Sequence, residues 1–143
     1  MIIPDLNLLV YAYNELAPLH GKARAFWEQA LSRDQPVGVP WVVALGFVRL
    51  TTHPRVLAEP LSPSDALARV EAWFSRPAVR ILEPGPRHLV ILRRLLEATG
   101  VAASLTTDTH LAALAIEYQA ELLSNDSDFG RFPGLRWRNP LAV

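Results

Sequence analysis

The stretch Ile2-Ile3-Pro4-Asp5-Leu6-Asn7 joins a short apolar run to an acid and then to a helical pattern. Residues 1–5 are typical of a buried strand, and apolar residues recur at helical spacing from 6 to 14. The same succession recurs along the chain. Further strands are predicted at 36–40, 79–82 and 121–124, with a short edge strand at 136–138. Further helices are predicted at 18–33, 41–52, 62–75 and 108–119, and from the turn at 84–86 to residue 99.

Strands that alternate with helices across short connections predict an α/β fold, with a parallel sheet and helices on both of its faces. The 143 residues are expected to form one domain, spanning 1–143. Half of them are hydrophobic. A chain of this length buries roughly 68–70% of its unfolded surface, which is enough for a real core.

Composition excludes several kinds of site. The chain has no cysteine, which excludes disulfides and thiolate-bound metals. Its formal net charge is zero, so no overall basic field indicates nucleic-acid binding. No apolar run reaches the roughly 18 residues of a membrane span, and the first residues lack the features of a signal peptide. We therefore expect a cytoplasmic protein with no membrane partner.

Four acids follow short apolar runs at points where a helix or a turn should begin. They are Asp5, Asp108, Asp126 and Asp128. In an open α/β sheet, such positions converge at the carboxyl ends of the strands, where ligands bind. Carboxylates gathered in one cleft repel each other. A hard cation such as Mg²⁺ or Mn²⁺ is the partner that such a cluster predicts.

Each acid also has an ordinary structural interpretation. Asp5 could cap the helix that follows it, and Asp108 could stabilise the first turn of its helix. Asp126 and Asp128 could form turns through their side chains. Three separate predicted strand ends carry acids, and this conjunction favours a common site.

A cation in such a cluster could polarise a phosphoryl oxygen and activate a water molecule. Hydrolysis of a phosphodiester would then need no nucleophilic side chain. The sequence agrees with this chemistry, because it has no cysteine and no Gly-x-Ser-x-Gly elbow.

At these residues the chain resembles the PIN-domain family, specifically the VapC-type toxins of bacterial toxin–antitoxin systems. The most specific stretches are Thr107-Asp108-Thr109-His110-Leu111-Ala112-Ala113 and Asp126-Ser127-Asp128-Phe129. The resemblance covers nearly the whole length and extends to 2–9, 47–56 and the tail at 132–141.

The resemblance implies a three-layer α/β/α sandwich with a mostly parallel central sheet. It also implies an endoribonuclease that depends on Mg²⁺ or Mn²⁺, acts on RNA, forms a homodimer and is held by a VapB-type antitoxin. Carried over by position, Asp5 and Asp108 would be the main metal ligands, and Asp126 would complete the acidic site. Asp128 would support it or bind a second ion. Asn7 would hydrogen-bond a ligand water, and Thr107 and Ser124 would orient neighbouring carboxylates.

One position departs from the family pattern. The family usually has a glutamate in the third helix, three residues before an arginine. If Arg49 is that arginine, the glutamate position holds Gly46, which has no side chain to offer. This leaves open whether the site holds one ion or two.

Two other classes of function compete with a ribonuclease. Phosphotransfer domains also place acids at strand ends, but they typically need a lysine late in the chain, and Lys22 is the only lysine here. The second alternative is a PIN-like module that binds RNA or protein through a weakened metal site, which the glycine at position 46 favours.

Histidines and tryptophans are assigned structural roles. We expect His110 to cap or to contact RNA rather than to bind metal, and His20, His53 and His88 to be surface or structural residues. The tryptophans on apolar helix faces are expected in the core or at an interface; these are Trp27, Trp41 and Trp73.

Overall fold

Five strands form one sheet in the computed structural model, which describes residues 1–100 and 106–142. The strands are β1 (Ile2–Pro4), β2 (Val37–Pro40), β3 (Val79–Leu82), β4 (Glu121–Leu123) and β5 (Trp137–Arg138). Their order across the sheet is β3-β2-β1-β4-β5, and every neighbouring pair is parallel. The prediction of a parallel sheet is confirmed, including the short edge strand near the C-terminus.

Six α-helices flank the sheet and complete the α/β/α sandwich. They are α1 (Leu6–Tyr13), α2 (His20–Ser32), α3 (Trp41–Thr51), α4 (Pro63–Phe74), α5 (His88–Thr99) and α6 (Thr106–Glu117). A 3₁₀ helix spans Ser127–Arg131. Helix α1 packs against both α2 and α3, α3 packs against α4, and α5 packs against α6. Within the described residues, no helix has the length and apolar character needed to cross a membrane.

Two helix starts differ from their predictions. Helix α2 begins at His20 instead of Pro18, because 14–19 form turns closed by backbone hydrogen bonds such as the one from His20 N to Ala17 O (3.0 Å). Helix α6 begins at Thr106, two residues before the predicted start at 108. The apolar run at 101–105 lies outside the described residues. Asp108 therefore lies in the first turn of a helix and follows none of the five strands.

An aromatic cluster fills the core beneath α1, α3 and α4. Trp73 is 1% exposed and packs edge-on against Phe47 and Trp27, with ring centroids 4.6 and 5.4 Å apart. Its indole N–H donates to the hydroxyl of Tyr13 at 3.0 Å. Trp27 is also buried, which confirms a core role for both tryptophans. Trp41 is 45% exposed and packs on Phe74, so it does not lie in the core. Its alternative role, at an interface, stays a prediction.

The strand register places the ends of β1 and β4 side by side. Pro4 pairs with Leu123, and the amide of Asp5 continues the ladder by donating to the carbonyl of Leu123 at 2.8 Å. Asp5 and Ser124 are therefore neighbours at the carboxyl edge of the sheet, although 119 positions separate them in the chain. This edge is the place where an open α/β sheet binds its ligands.

Candidate active site

Asp5 is held in a fixed orientation at the end of β1. One of its oxygens accepts a hydrogen bond from the backbone amide of Leu6 at 2.8 Å, and the other accepts one from the hydroxyl of Ser124 at 2.7 Å. The residue is only 7% exposed. Burial raises the pKa of this carboxyl, and the nearby charge of Asp126 adds to the rise, while the two hydrogen bonds oppose it. The predicted orienting role of Ser124 and the capping role of Asp5 are both present.

Ser124 also links Asp5 to the acids that follow β4. Its hydroxyl oxygen accepts a hydrogen bond from the amide of Asp126 at 2.9 Å. A carboxylate oxygen of Asp126 in turn accepts from the amide of Asp128 at 2.9 Å and caps the 3₁₀ helix. The turn-forming role of Asp126 is thus realised. The turn places its carboxyl close enough to act on the pKa of Asp5.

Asp128 points to a basic neighbour. Its carboxylate forms an ion pair with the guanidinium of Arg131 at 3.1 Å, and both side chains are about half exposed, at 53% and 44% respectively. Of the four predicted acids, Asp128 is the most exposed to solvent.

Asp108 completes the cluster from the first turn of α6. Its pKa is raised to about 6, first by burial and then by the charges of Asp5, Asp126 and Asp128, while Arg131 opposes the rise. Charges act on one another in this way only over short distances. The fold therefore brings all four predicted acids near one another, and they are called the acidic cluster below.

The acidic cluster has the donor chemistry that a divalent cation requires. Its donors are carboxylate oxygens, the ligands that Mg²⁺ and Mn²⁺ prefer. Burial and, after it, the charges of three neighbouring acids raise the pKa of Asp108, and a cation would offset those charges. Within residues 1–100 and 106–142, no three histidine or acidic side chains form a complete set of metal ligands. The arrangement therefore fits an ion held by one or two carboxylates and several waters, which is how Mg²⁺ is usually bound.

Gly46 lies beside the start of α1. It is buried on α3, and a Cβ atom added to it would lie 2.6 Å from a terminal methyl of Leu6. Leu6 directly follows Asp5. Leu6 thus fills the space that a side chain at position 46 would enter.

A histidine pair was missed by sequence reasoning. Nε2 of His88 lies 2.9 Å from Nδ1 of His110, and the two rings pack edge-on where α5 meets α6. His88 is 9% exposed and is held by this contact, so its structural role agrees with the expectation. Burial, together with His88, lowers the pKa of His110. No sequence signal could have found this pair, because its members lie 22 residues apart on different helices.

The ion pair between Asp128 and Arg131 was also missed, although a signal for it was present. The two residues are three positions apart, which is a spacing that lets side chains meet along a helix.

The PIN domain matches residues 2–135 of the chain. The chain belongs to the PIN-domain family. This PIN domain is 48% identical over 141 residues to ribonuclease VapC33 of Mycobacterium tuberculosis, with 99% of each chain covered. It is 42% identical over 143 residues to ribonuclease VapC37 of the same species, covering 100% of this chain and 99% of the relative. Both relatives place the chain in the VapC branch of the family.

Solved structures agree with the fold. The crystal structure of VapBC2 from Rickettsia felis, bound to a DNA fragment from its promoter, contains a chain that superposes with a TM-score of 0.71. The identity is 20%, and the match covers 97% of this PIN domain and 98% of that chain. At this identity the likeness shows the α/β/α fold.

Proposed function

We propose that this PIN domain, spanning residues 1–143, is a metal-dependent endoribonuclease and the toxin of a toxin–antitoxin pair. The observation that carries the proposal is the acidic cluster. Three separate segments of the chain bring four carboxylates together, close enough that neighbouring acids raise the pKa of Asp5 and of Asp108. Relatives named ribonucleases, similar over nearly the whole chain, support RNA as the substrate.

The side chains have distinct roles in this proposal. Asp5 and Asp108 are the main ligands of Mg²⁺ or Mn²⁺, and Asp126 would join them only once the ion is bound, because the described residues form no ready set of three. A bound cation would polarise the scissile phosphate and lower the pKa of an attacking water. Ser124 keeps the carboxyl of Asp5 in place through the 2.7 Å hydrogen bond. The chain itself thus contributes charge, orientation and a partly buried setting in which electrostatic interactions are strong.

Partners follow from the same proposal. A VapB-type antitoxin would cover the acidic cluster in the resting state, and the toxin would act as a homodimer in the cytoplasm. The VapBC2 structure from Rickettsia felis, which contains a chain with this fold, is of a VapBC assembly and supports such a pairing.

One observation favours a second candidate function. If Arg49 is the family's arginine, the position of the family's glutamate is Gly46, and no complete set of three ligands is formed by the described residues. A PIN-like module that binds RNA or protein without cutting it would have such a weakened site.

A cleavage assay separates the two candidates. Purified protein is incubated with a pool of structured RNAs, with Mg²⁺, with Mn²⁺ or with a chelator, and the new RNA ends are sequenced. We expect cleavage at defined positions only in the presence of metal. Binding of RNA without new ends, at any metal concentration, would favour the binding module.

The site assignment is tested in the same assay with Asp5→Asn and Asp108→Asn. Each substitution keeps the side-chain shape and removes one charge that the cation needs. Cleavage is expected to fall by at least 100-fold, as an order-of-magnitude estimate for losing a residue essential to metal-assisted chemistry. Circular dichroism should show an unchanged fold. Full activity in Asp5→Asn would contradict the assignment. Asp34→Asn, at an exposed acid outside the cluster, is the matched control.

A further inference from the structure

RNA faces an electrostatic barrier at the acidic cluster. Its backbone has one negative charge at every phosphate, and the cluster presents four carboxylates. A bound divalent cation offsets only part of this repulsion. Binding of a phosphodiester here therefore calls for a basic side chain from the protein as well.

Arg131 is the basic residue that the fold places at this point. It ends the 3₁₀ helix whose N-terminal cap is Asp126, so the same short element positions two of the acids and the arginine. Its guanidinium lies 3.1 Å from Asp128 and remains 44% exposed. The charge of the guanidinium also opposes the rise in the pKa of Asp108, which burial and the neighbouring acids cause.

The guanidinium has hydrogen-bonding capacity to spare. Arginine has five N–H donors in a planar fork, a geometry that matches two oxygens of a phosphate. The ion pair with Asp128 is made through one terminal nitrogen. That contact fixes the direction of the side chain and leaves its other donors available.

We propose that Arg131 binds a phosphate of the RNA substrate beside the acidic cluster, and that Asp128 positions Arg131 rather than ligating the cation. The inference rests on the proposed ribonuclease function and adds a substrate-binding residue to it. Asp128 is the most exposed of the four acids, and its carboxylate already has a cationic partner. These features suit a positioning residue better than a metal ligand.

The first test compares Arg131→Gln with the wild-type protein on an RNA that the wild type cuts. Loss of a charge-assisted contact to phosphate should raise KM about tenfold. The slope of log KM against log salt concentration should fall by about one. Arg24→Gln is the matched control, because Arg24 also forms an ion pair with a nearby acid and lies on the exposed face of α2. It removes the same charge and should leave KM and the salt slope unchanged.

A metal titration supplies a readout that does not depend on cleavage. Removing the guanidinium leaves the carboxylates less compensated, so Arg131→Gln should bind Mn²⁺ a few-fold more tightly than the wild type while it binds RNA more weakly. Asp128→Asn should weaken Mn²⁺ binding less than threefold, because the residue is not a ligand in this proposal. The Mn²⁺ affinity of Asp108→Asn, which removes a main ligand in this proposal, is the reference for comparison.

Several results would overturn the inference. A wild-type KM and salt slope in Arg131→Gln would remove Arg131 from the substrate site. A loss of Mn²⁺ affinity beyond tenfold in Asp128→Asn would make Asp128 a ligand. Should Arg131→Gln not fold, Arg131→Met keeps the apolar stem and is read in the same way. If the wild type cuts no RNA with either metal, the proposed function fails and the inference fails with it. Wild-type cleavage with an unaffected Arg131→Gln rejects the inference alone.

Discussion

At the scale of single residues, the surroundings of Asp108 oppose its negative charge. Its pKa is raised to about 6 by burial and by three acidic neighbours, against about 3.9 in an unfolded chain. Between these values the folded state binds more protons than the unfolded state. The free energy of unfolding of the metal-free protein should therefore fall as pH rises from about 4 to about 6. Asp5, whose pKa is raised as well, contributes with the same sign.

Removal of the Asp108 charge should cancel most of this pH dependence. In chelator at pH 7, Asp108→Asn should be more stable than the wild type by about 1 kcal/mol, after a discount for its partial exposure. This corresponds to a Tm increase of roughly 2–4 °C. Thermal melts at several pH values measure the difference, which should vanish near pH 4. Excess Mn²⁺ should reverse it, because the ion stabilises only the protein that binds it. A difference independent of pH would contradict the electrostatic explanation.

Gly46 and Leu6 determine how many ligands the site can have. If position 46 is that of the family's glutamate, Gly46→Glu should add a carboxylate, tighten Mn²⁺ binding and speed cleavage. The new Cβ would meet a methyl of Leu6 at 2.6 Å. That methyl is the end of a flexible side chain, so Leu6 must shift before the glutamate can be accommodated. Helix propensity favours the substitution by roughly 1 kcal/mol.

Gly46→Ala is the control, because it adds the same Cβ atom without a carboxylate. It distinguishes the effect of crowding Leu6 from the effect of an added metal ligand. Calorimetric titration of Mn²⁺ should show tighter binding in Gly46→Glu alone. Leu6→Ala combined with Gly46→Glu relieves the contact and should retain the gain. Equal affinities in all well-folded variants would mean that position 46 faces away from the cluster.

At the scale of elements, Glu117 ties the end of α6 to the start of α5. Its two carboxylate oxygens accept hydrogen bonds from the backbone amides of Gly85 and Arg87, at 2.8 and 2.9 Å. The residue at the N-terminal cap of α5 is Arg87, whose side chain makes no capping hydrogen bond. Glu117 therefore provides from another helix the acceptors that a capping side chain would supply.

Glu117→Ala should destabilise the protein by about 1–3 kcal/mol, because two backbone donors lose their acceptors. Urea unfolding measures the loss, and hydrogen exchange should show earlier opening at the first turn of α5 than elsewhere. Glu97→Ala, at an exposed acid of α5, is the control and should change stability by less than about 0.5 kcal/mol. A neutral Glu117→Ala would show that water replaces the carboxylate without cost.

At the scale of the whole molecule, the acidic cluster predicts the chemistry of the antitoxin. We expect a small protein, encoded by a neighbouring gene, to co-purify with this chain and to cover the acidic cluster. An arginine of that protein should pair with the carboxylates. Replacing this arginine by alanine should weaken inhibition, and Mn²⁺ should compete with the intact antitoxin. Harmless expression of the chain alone, with no bound neighbour, would contradict the toxin assignment.

Local patterns in the sequence were sufficient for most of the fold. Apolar runs bounded by proline, acids and turns marked all five strands, and helical spacing marked all six helices. The errors lie at helix starts. Proline is favourable in the first turn of a helix, which predicted a start at Pro18. The turns at 14–19 instead place the start of α2 at His20. Such boundaries depend on backbone hydrogen bonds that residue preferences describe only weakly.

The sequence by itself also marked the four acids that the proposal uses, because it predicts that each follows an apolar run at the start of a helix or a turn. Only the tertiary structure decided what surrounds them. The parallel pairing of β1 with β4 brings Ser124 to Asp5 across 119 positions, and the packing of α5 on α6 joins His88 to His110. The packing of Leu6 over Gly46 likewise joins two helices. Local preferences act over a few residues, whereas these contacts depend on strand register and helix packing, which are set by burial of the whole core.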